Sequence, residues 1–373
     1  MRDTLVCYIS GHGFGHAVRV LEVLRELRVR RPDCALHIRT SVARGFLELG
    51  LRGPFTYEPV RLDVGAIQRD SLSLDPGATL RAYAALTADT AQIITAEVRA
   101  LAPLRPALVF ADIPALAFDV ARRLEVPGVA MTNFSWDWIY ADYVRDAPSY
   151  EHVVSGLRAS YGQATLLLRL PFHGDLSAFP RIRDIPLVAR RAVLSRAETC
   201  RRLGLPLEDQ LVLLSFGGIG VELTAVPTPR RGVTFVATQS ASDAATVPAT
   251  CRFLSNADIT ARGVRYEDLV AASDVVMTKP GYGIVADCIA NSTRMIYTAR
   301  GRFAEYDCLV QAIETHLPHA LISNDDLYAG RWSEALDAAL AQPRRTPQLD
   351  MDGAAVAAEV LLTMLPSIKE ESC

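Results

Sequence analysis

The stretch LVCYISGHGFGHAVRVLEVLRELRVR (residues 5–30) decides how the rest of the chain is read. Six residues of strand-forming character lead into a turn with three glycines and two histidines in six positions. An apolar stripe of Val18, Leu21, Val23, Leu24 and Leu27 follows at helical spacing, which predicts a helix over 15–30. A strand, a glycine turn and a helix in that order open a βαβ unit. Seven histidines occur in the whole chain, so two of them on one turn ask for a chemical reason.

The same alternation continues outward. ALHIRT (35–40), FTYEPV (55–60), ALVFAD (107–112) and GVAMTN (128–133) read as further strands, and 78–102 reads as one long helix. At 175–195 the pattern breaks into DLSAFPRIRDIPLVARR, whose prolines and arginines read as a linker. A second alternating set follows: LVLLSFGG (211–218), GVTFVAT (232–238), CRFLS (251–255), DVVMTKPGYG (274–283) and RMIYTA (294–299). The expectation is α/β: two doubly wound, Rossmann-like domains over 1–188 and 189–350, with a closing helix in 351–373 that packs back toward the first domain. The length of 373 residues agrees with two domains of the usual roughly 100–200 residues each.

Composition excludes several classes. A net charge of −3 provides no basic stripe for nucleic acid. The seven cysteines are scattered without a CxxC pair, which reads as reduced thiols and not as a disulfide frame or a zinc site. No run of about 18 apolar residues occurs, and LVCYIS is too short for the h-region of a signal peptide. The expected setting is cytoplasmic, with peripheral lipid contact left open and oligomeric state not addressed. Only two of the 39 basic residues are lysines, which singles out Lys279 in MTKPGYG.

Each half carries a glycine-rich turn after its first strand: Gly11, Gly13 and Gly15, then Gly217, Gly218 and Gly220. Such turns admit a ligand close to the backbone at a helix N-terminus, where amides and dipole favour negative charge. A dinucleotide fingerprint fails on two counts. Its third glycine falls on His16, and the second strand ends in HIRT without the acidic residue that would hold a ribose. DMDG (350–353) has the look of a metal-binding DxD, but its place just before the last helix favours an N-cap.

GHGFGHAVR (11–19), LDVGAIQRDSLSLD (62–75), TNFSWDWIYADYV (132–144), LRLPF (168–172), LSFGG (214–218) and KPGYG (279–283) together resemble the N-terminal glycosyltransferase-like region of plant arabinokinases and its free-standing bacterial relatives. More distantly the chain is similar to GT-B glycosyltransferases, among them the enzyme that forms lipid II. The resemblance covers nearly the whole chain. It includes no kinase domain, so it implies no arabinokinase activity.

The resemblance implies a GT-B fold whose two domains face an interdomain cleft, with acceptor on the first side and nucleotide sugar on the second. It maps the general base of inverting members onto His16 and its orienting carboxylate onto Asp112. That assignment is chemically sensible, because an acceptor hydroxyl attacks an anomeric carbon poorly until a base of near-neutral pKa takes its proton. A carboxylate on the far ring nitrogen would fix the tautomer. His12 competes for the role, or contacts phosphate or acceptor.

For the donor the resemblance implies Gly13, Gly15, Gly217, Gly218, Lys279, Gly281, Tyr282 and Gly283 around the diphosphate, Asp287 on the ribose and Glu305 on the sugar. UDP-sugar is the implied donor, with no cofactor and no metal. Asp63, Gln68, Asn133, Trp136 and Asp137, with His12, are the expected contacts of a small-molecule or lipid-linked hydroxyl acceptor. Asp287 stands where the related enzymes carry a glutamate, which weakens the case for uridine. Two alternatives stay open on the same fold: a nucleotide-sugar 2-epimerase and a non-catalytic nucleotide-sugar-binding module.

Overall fold

The computed structural model describes residues 3–68, 72–216, 229–238 and 251–366. Thirteen strands occur among them: β1 (Thr4–Ile9), β2 (Ala35–Thr40), β3 (Thr56–Glu58), β4 (Pro106–Asp112), β5 (Gly128–Thr132), β6 (Leu166–Arg169), β7 (Ile182–Asp184), β8 (Gln210–Ser215), β9 (Val233–Ala237), β10 (Cys251–Phe253), β11 (Val275–Thr278), β12 (Arg294–Tyr297) and β13 (His319–Leu321). They form two sheets, ordered β3-β2-β1-β4-β5-β6-β7 and β10-β9-β8-β11-β12-β13, and every strand pair is parallel. The chain divides into two compact units, one of Met1–Ile67, Asp75–Val188 and Asp350–Cys373, the other of Gln68–Leu74 and Ala189–Leu349.

In the first unit the central strands are apolar along their whole length. Leu5, Val6 and Cys7 of β1 and Leu108, Val109 and Phe110 of β4 are all fully buried, as a parallel sheet covered by helices on both faces requires. The helix Gly15–Arg30 buries Leu21, Val23, Leu24 and Leu27 of the stripe read from the sequence, while Val18 is only half-buried. The helix Gly353–Met364 belongs to this unit and lies against it. Asp352 occupies the N-cap position there without a side-chain cap bond; the Asp350 carboxylate instead accepts from the Asp352 amide at 2.9 Å.

The single long helix expected over 78–102 is two helices, Pro76–Ala88 and Thr90–Leu101, broken at Asp89. Thr87 and Thr90 flank the break and bond to the carbonyls of Ala84 and Thr87, a local competition that these short polar side chains offer to the helix. Asp75 starts the first of the pair by accepting from the Ala78 amide at 2.9 Å, with Pro76 at the position where a missing N–H costs nothing.

The second unit packs Val212, Leu214, Val275, Met277, Ile296 and Trp332 into its core, and Leu72 is buried with them. The segment Gln68–Leu74 thus belongs to this unit and not to the first, where its sequence position had placed it. The 175–195 stretch read as a linker contains β7, which completes the first sheet beside β6, and the units divide between Val188 and Ala189.

Candidate active site

The order of the first sheet reverses between the neighbouring strands β1 and β4. The carboxyl ends of strands at such a point form the crevice where open α/β sheets bind ligands. Parallel register sets Ile9 opposite Asp112, and the Ser10 amide donates to the Asp112 carbonyl at 2.8 Å. The glycine turn therefore starts level with the end of β4, and Gly13, at φ +76, lets it reverse into the helix that carries His16.

His16 is 5% exposed and Asp112 is not exposed at all. The imidazole Nδ1 lies 2.8 Å from Asp112 Oδ1. Arg19, one turn further along the helix, reaches the same carboxylate from its own side: Nε donates to Oδ2 at 2.5 Å and Nη2 to Oδ1 at 2.8 Å. It also donates to Asn133 Oδ1 at 2.7 Å and Thr132 Oγ1 at 3.3 Å, just past and at the end of β5. Burial alone would raise the Asp112 pKa, but Arg19 and His16 outweigh it and hold the carboxyl below its ordinary value. Asp112 is thus an anion and accepts only, so the Nδ1 atom of His16 carries the hydrogen of this contact.

A second buried carboxylate lies across the turn. Asp63 Oδ2 accepts from the Trp136 indole N–H at 3.0 Å, beside the Ser10 hydroxyl. Burial pushes its pKa up, against the opposing pull of Ser10, Trp136 and His16. His12 stands with its ring edge-on to Trp136 at 5.3 Å and accepts from the Ala66 amide at 3.3 Å. Gly65 makes room for it: φ is +73 and a Cβ there would fall 2.5 Å from His12 Nδ1. Tyr140 donates to the Gly65 carbonyl at 2.6 Å and stacks on Trp136, so the loop is held from below by aromatic rings.

The second sheet reverses between β8 and β11, which carry Ser215 opposite Thr278. Lys279 and Gly281 follow directly, and Gly281 is the N-cap of the helix Tyr282–Ala290. The Lys279 ammonium lies 3.4 Å from Gln68 Oε1. Asp287 is on that helix but turns inward. It is 1% exposed, Oδ1 accepts from the Arg190 amide at 3.0 Å, and Oδ2 accepts from Arg190 Nη2 at 2.5 Å and Nε at 3.1 Å. Arg190 also meets Glu267 at 3.4 Å and lies over the Tyr266 ring. Glu305, likewise buried, accepts from Arg300 Nη1 at 3.3 Å, and that guanidinium donates to the Pro280 carbonyl at 3.2 Å.

No protein-family model matches the chain. Over 339 residues, 89% of its length, it is 32% identical to L-arabinokinase of Arabidopsis thaliana, and it spans 32% of that protein's length. Among solved structures it is similar to the glycotransferase of kitacinnamycin, with TM-score 0.62, 16% identity and coverage of 98% of this chain and 100% of the other. The calicheamicin glycosyltransferase CalG4 gives TM-score 0.62 at 15% identity, covering 99% and 100%. The spinosyn rhamnosyltransferase SpnG gives 0.60 at 12%, covering 98% and 96%. The chain has the GT-B fold.

Within this GT-B chain the structure brings together His16, Asp112 and Asn133, and sets His12 and Asp63 around Trp136. Other expected residues go elsewhere. Trp136 is wholly buried, so its indole is a wall under the loop and not an open platform for a sugar ring. Asp137 turns to Arg158 of the helix Glu151–Tyr161 at 3.2 Å. Gln68 belongs to the second unit beside Lys279. Asp287 has both oxygens engaged by Arg190, which leaves little of it open to a ribose. Gly217 and Gly218 lie outside the described residues. Among the described residues no helix is long and apolar enough to cross a membrane.

Arg19 is the residue that sequence reading passed over. Its signal was present: it stands three residues after His16 and four before Val23, on the face of the helix that is buried, where an arginine requires partners.

Proposed function

We propose that this GT-B chain transfers a glycosyl group from a nucleotide-sugar donor to a hydroxyl acceptor, with inversion and without a metal ion. The observation that carries the proposal is the His16–Asp112 contact of 2.8 Å at the switch point of the first sheet. Asp112 holds the imidazole by Nδ1, and Nε2 takes the acceptor proton as the acceptor oxygen bonds to the anomeric carbon. The bond from that carbon to the diphosphate oxygen breaks, and the nucleoside diphosphate leaves with the electron pair. Lys279 and the amides around Gly281 at the start of the second unit's helix suit the charge that develops on the leaving group. Structural relatives support a diphosphate ligand, since SpnG has been solved with thymidine diphosphate and with spinosyn aglycone.

His12 and Asp63 are assigned to the acceptor side; Gly13 and Gly15 give the donor room to approach, and Tyr282 and Gly283 line its turn. Asp287 and Trp136 are assigned structural roles. A UDP-sugar is the first donor to try, followed by the dTDP, GDP and ADP sugars. The test is a thermal-shift screen followed by turnover with and without acceptors. Acceptor-dependent release of the nucleoside diphosphate supports transfer. Change of the sugar without an acceptor would mean epimerisation, and binding without turnover would mean a non-catalytic module.

A further inference from the structure

We propose that Arg19 is a positioning residue for His16: it fixes the plane of Asp112 and balances its charge, so that the carboxylate orients the imidazole without drawing a proton onto it. The proposal rests on the reading of His16 as the base. The geometry is that of a fork. Nε and Nη2 of Arg19 take the two oxygens of Asp112, at 2.5 and 2.8 Å, while Nη1 is anchored on Asn133 at 2.7 Å. An arginine fork matched to a carboxylate in this way defines a plane as well as a distance. Its anchors come from the ends of β4 and β5, so a single side chain on the helix ties both strand ends to the turn that carries His16.

Charge gives Arg19 its second role. A carboxylate at hydrogen-bond distance draws a proton onto a neighbouring histidine, typically by about 1–3 pKa units. A cation at the same range opposes it, and Arg19 Nη2 lies 3.2 Å from His16 Nδ1. The other charged and titratable groups about His16 are Asp63, held by Trp136 and Ser10 with Arg61 nearby, and His12 on the same turn. Asp112 is the carboxylate in direct contact with the ring, and Arg19 is the cation in contact with both. The arrangement keeps a hydrogen on Nδ1, facing Asp112, with the Arg19 cation beside it to offset the carboxylate's charge.

The experiment follows the His16 ring by nitrogen NMR of the histidine-labelled protein, assigned with a His16→Gln variant, in the wild type, Arg19→Met and Arg19→Lys. In Arg19→Met the ring is expected to titrate about one pH unit or more higher than in the wild type. Arg19→Lys keeps the charge and is expected to titrate within a few tenths of a unit of the wild type while its transfer rate falls, because the fork is gone. If Arg19→Met does not fold, Arg19→Gln carries the same charge test, being neutral yet able to bond to Asp112. A neutral variant whose His16 titrates as in the wild type would overturn the proposal, and so would a lysine variant that shifts as far as the neutral one. The titration needs no substrate, so it is separate from the base reading, which fails instead if His16→Ala transfers sugar at the wild-type rate.

Discussion

Asp112→Asn is the perturbation whose consequences follow most directly from the site. The carboxylate offers two accepting oxygens, and it is met by His16 at 2.8 Å and by two Arg19 donors at 2.5 and 2.8 Å. An amide offers one accepting and one donating edge, while every polar atom of Arg19 donates. Either way round, one Arg19 bond becomes a donor–donor contact. With the NH₂ toward His16, the Nδ1 atom must accept, which places the ring hydrogen on Nε2 and removes the base. With the oxygen toward His16 the tautomer survives, but the imidazolium formed during transfer then faces Arg19 with no anion between them, at the 3.2 Å now seen. Two unit charges about 4 Å apart at an effective dielectric near 20 interact by about 4 kcal/mol, which is close to three powers of ten in rate.

The expected loss in kcat/KM is therefore about 10²–10⁴-fold, the range usual for a displaced acid–base group. Initial rates of nucleotide release at saturating acceptor read the effect. Far-UV circular dichroism and a retained nucleotide-induced thermal shift show that the variant is folded and still binds donor. A folded Asp112→Asn protein within tenfold of the wild-type rate would refute the reasoning.

Other expectations follow from the same contacts. Asp287→Asn loses the charged pair with Arg190 and should destabilise by about 3–5 kcal/mol, read as a lower thermal midpoint without nucleotide; an unchanged midpoint with lost donor binding would restore the ribose role. Gly65→Ala requires a side chain at φ +73 and a displaced His12 ring, and should cost on the order of 1–3 kcal/mol by thermal unfolding while altering acceptor KM. Asp112 has a lowered folded-state pKa, so its stabilisation is present above the unfolded value of about 3.9 and is lost as pH falls through the folded one. Arg19→Met removes the largest lowering influence, so acid unfolding followed by circular dichroism should begin at a higher pH in that variant. Chelation with EDTA should leave the transfer rate unchanged; a rate lost to EDTA and restored by a divalent cation would contradict the metal-free mechanism.

The central strands were legible in the sequence as short apolar runs alternating with helical patterns. ALHIRT matches β2 residue for residue, and the helix 15–30 has the bounds expected of it. The short strands β6, β7 and β13 were not read; β7 lies among prolines and arginines that signal a linker. The His16–Asp112 pair was legible through the resemblance of the GHGFGH turn and of the end of ALVFAD to inverting relatives. Arg19 was not, since a helix pattern reports which face is buried and not which distant strand end supplies the acceptors. Asp287 shows the converse limit. The resemblance of the KPGYG loop to the donor loop of related enzymes implied a ribose ligand, but Arg190, nearly a hundred residues earlier in the chain, engages its carboxylate.

The most direct test of the central claim is the transfer rate of His16→Ala with whichever nucleotide sugar stabilises the wild-type protein. A fall of at least about a hundredfold, with the donor-induced thermal shift intact, is the result predicted for a general base that does not bind the donor. Transfer at the wild-type rate would contradict the assignment and leave the His16–Asp112–Arg19 cluster as a structural clasp.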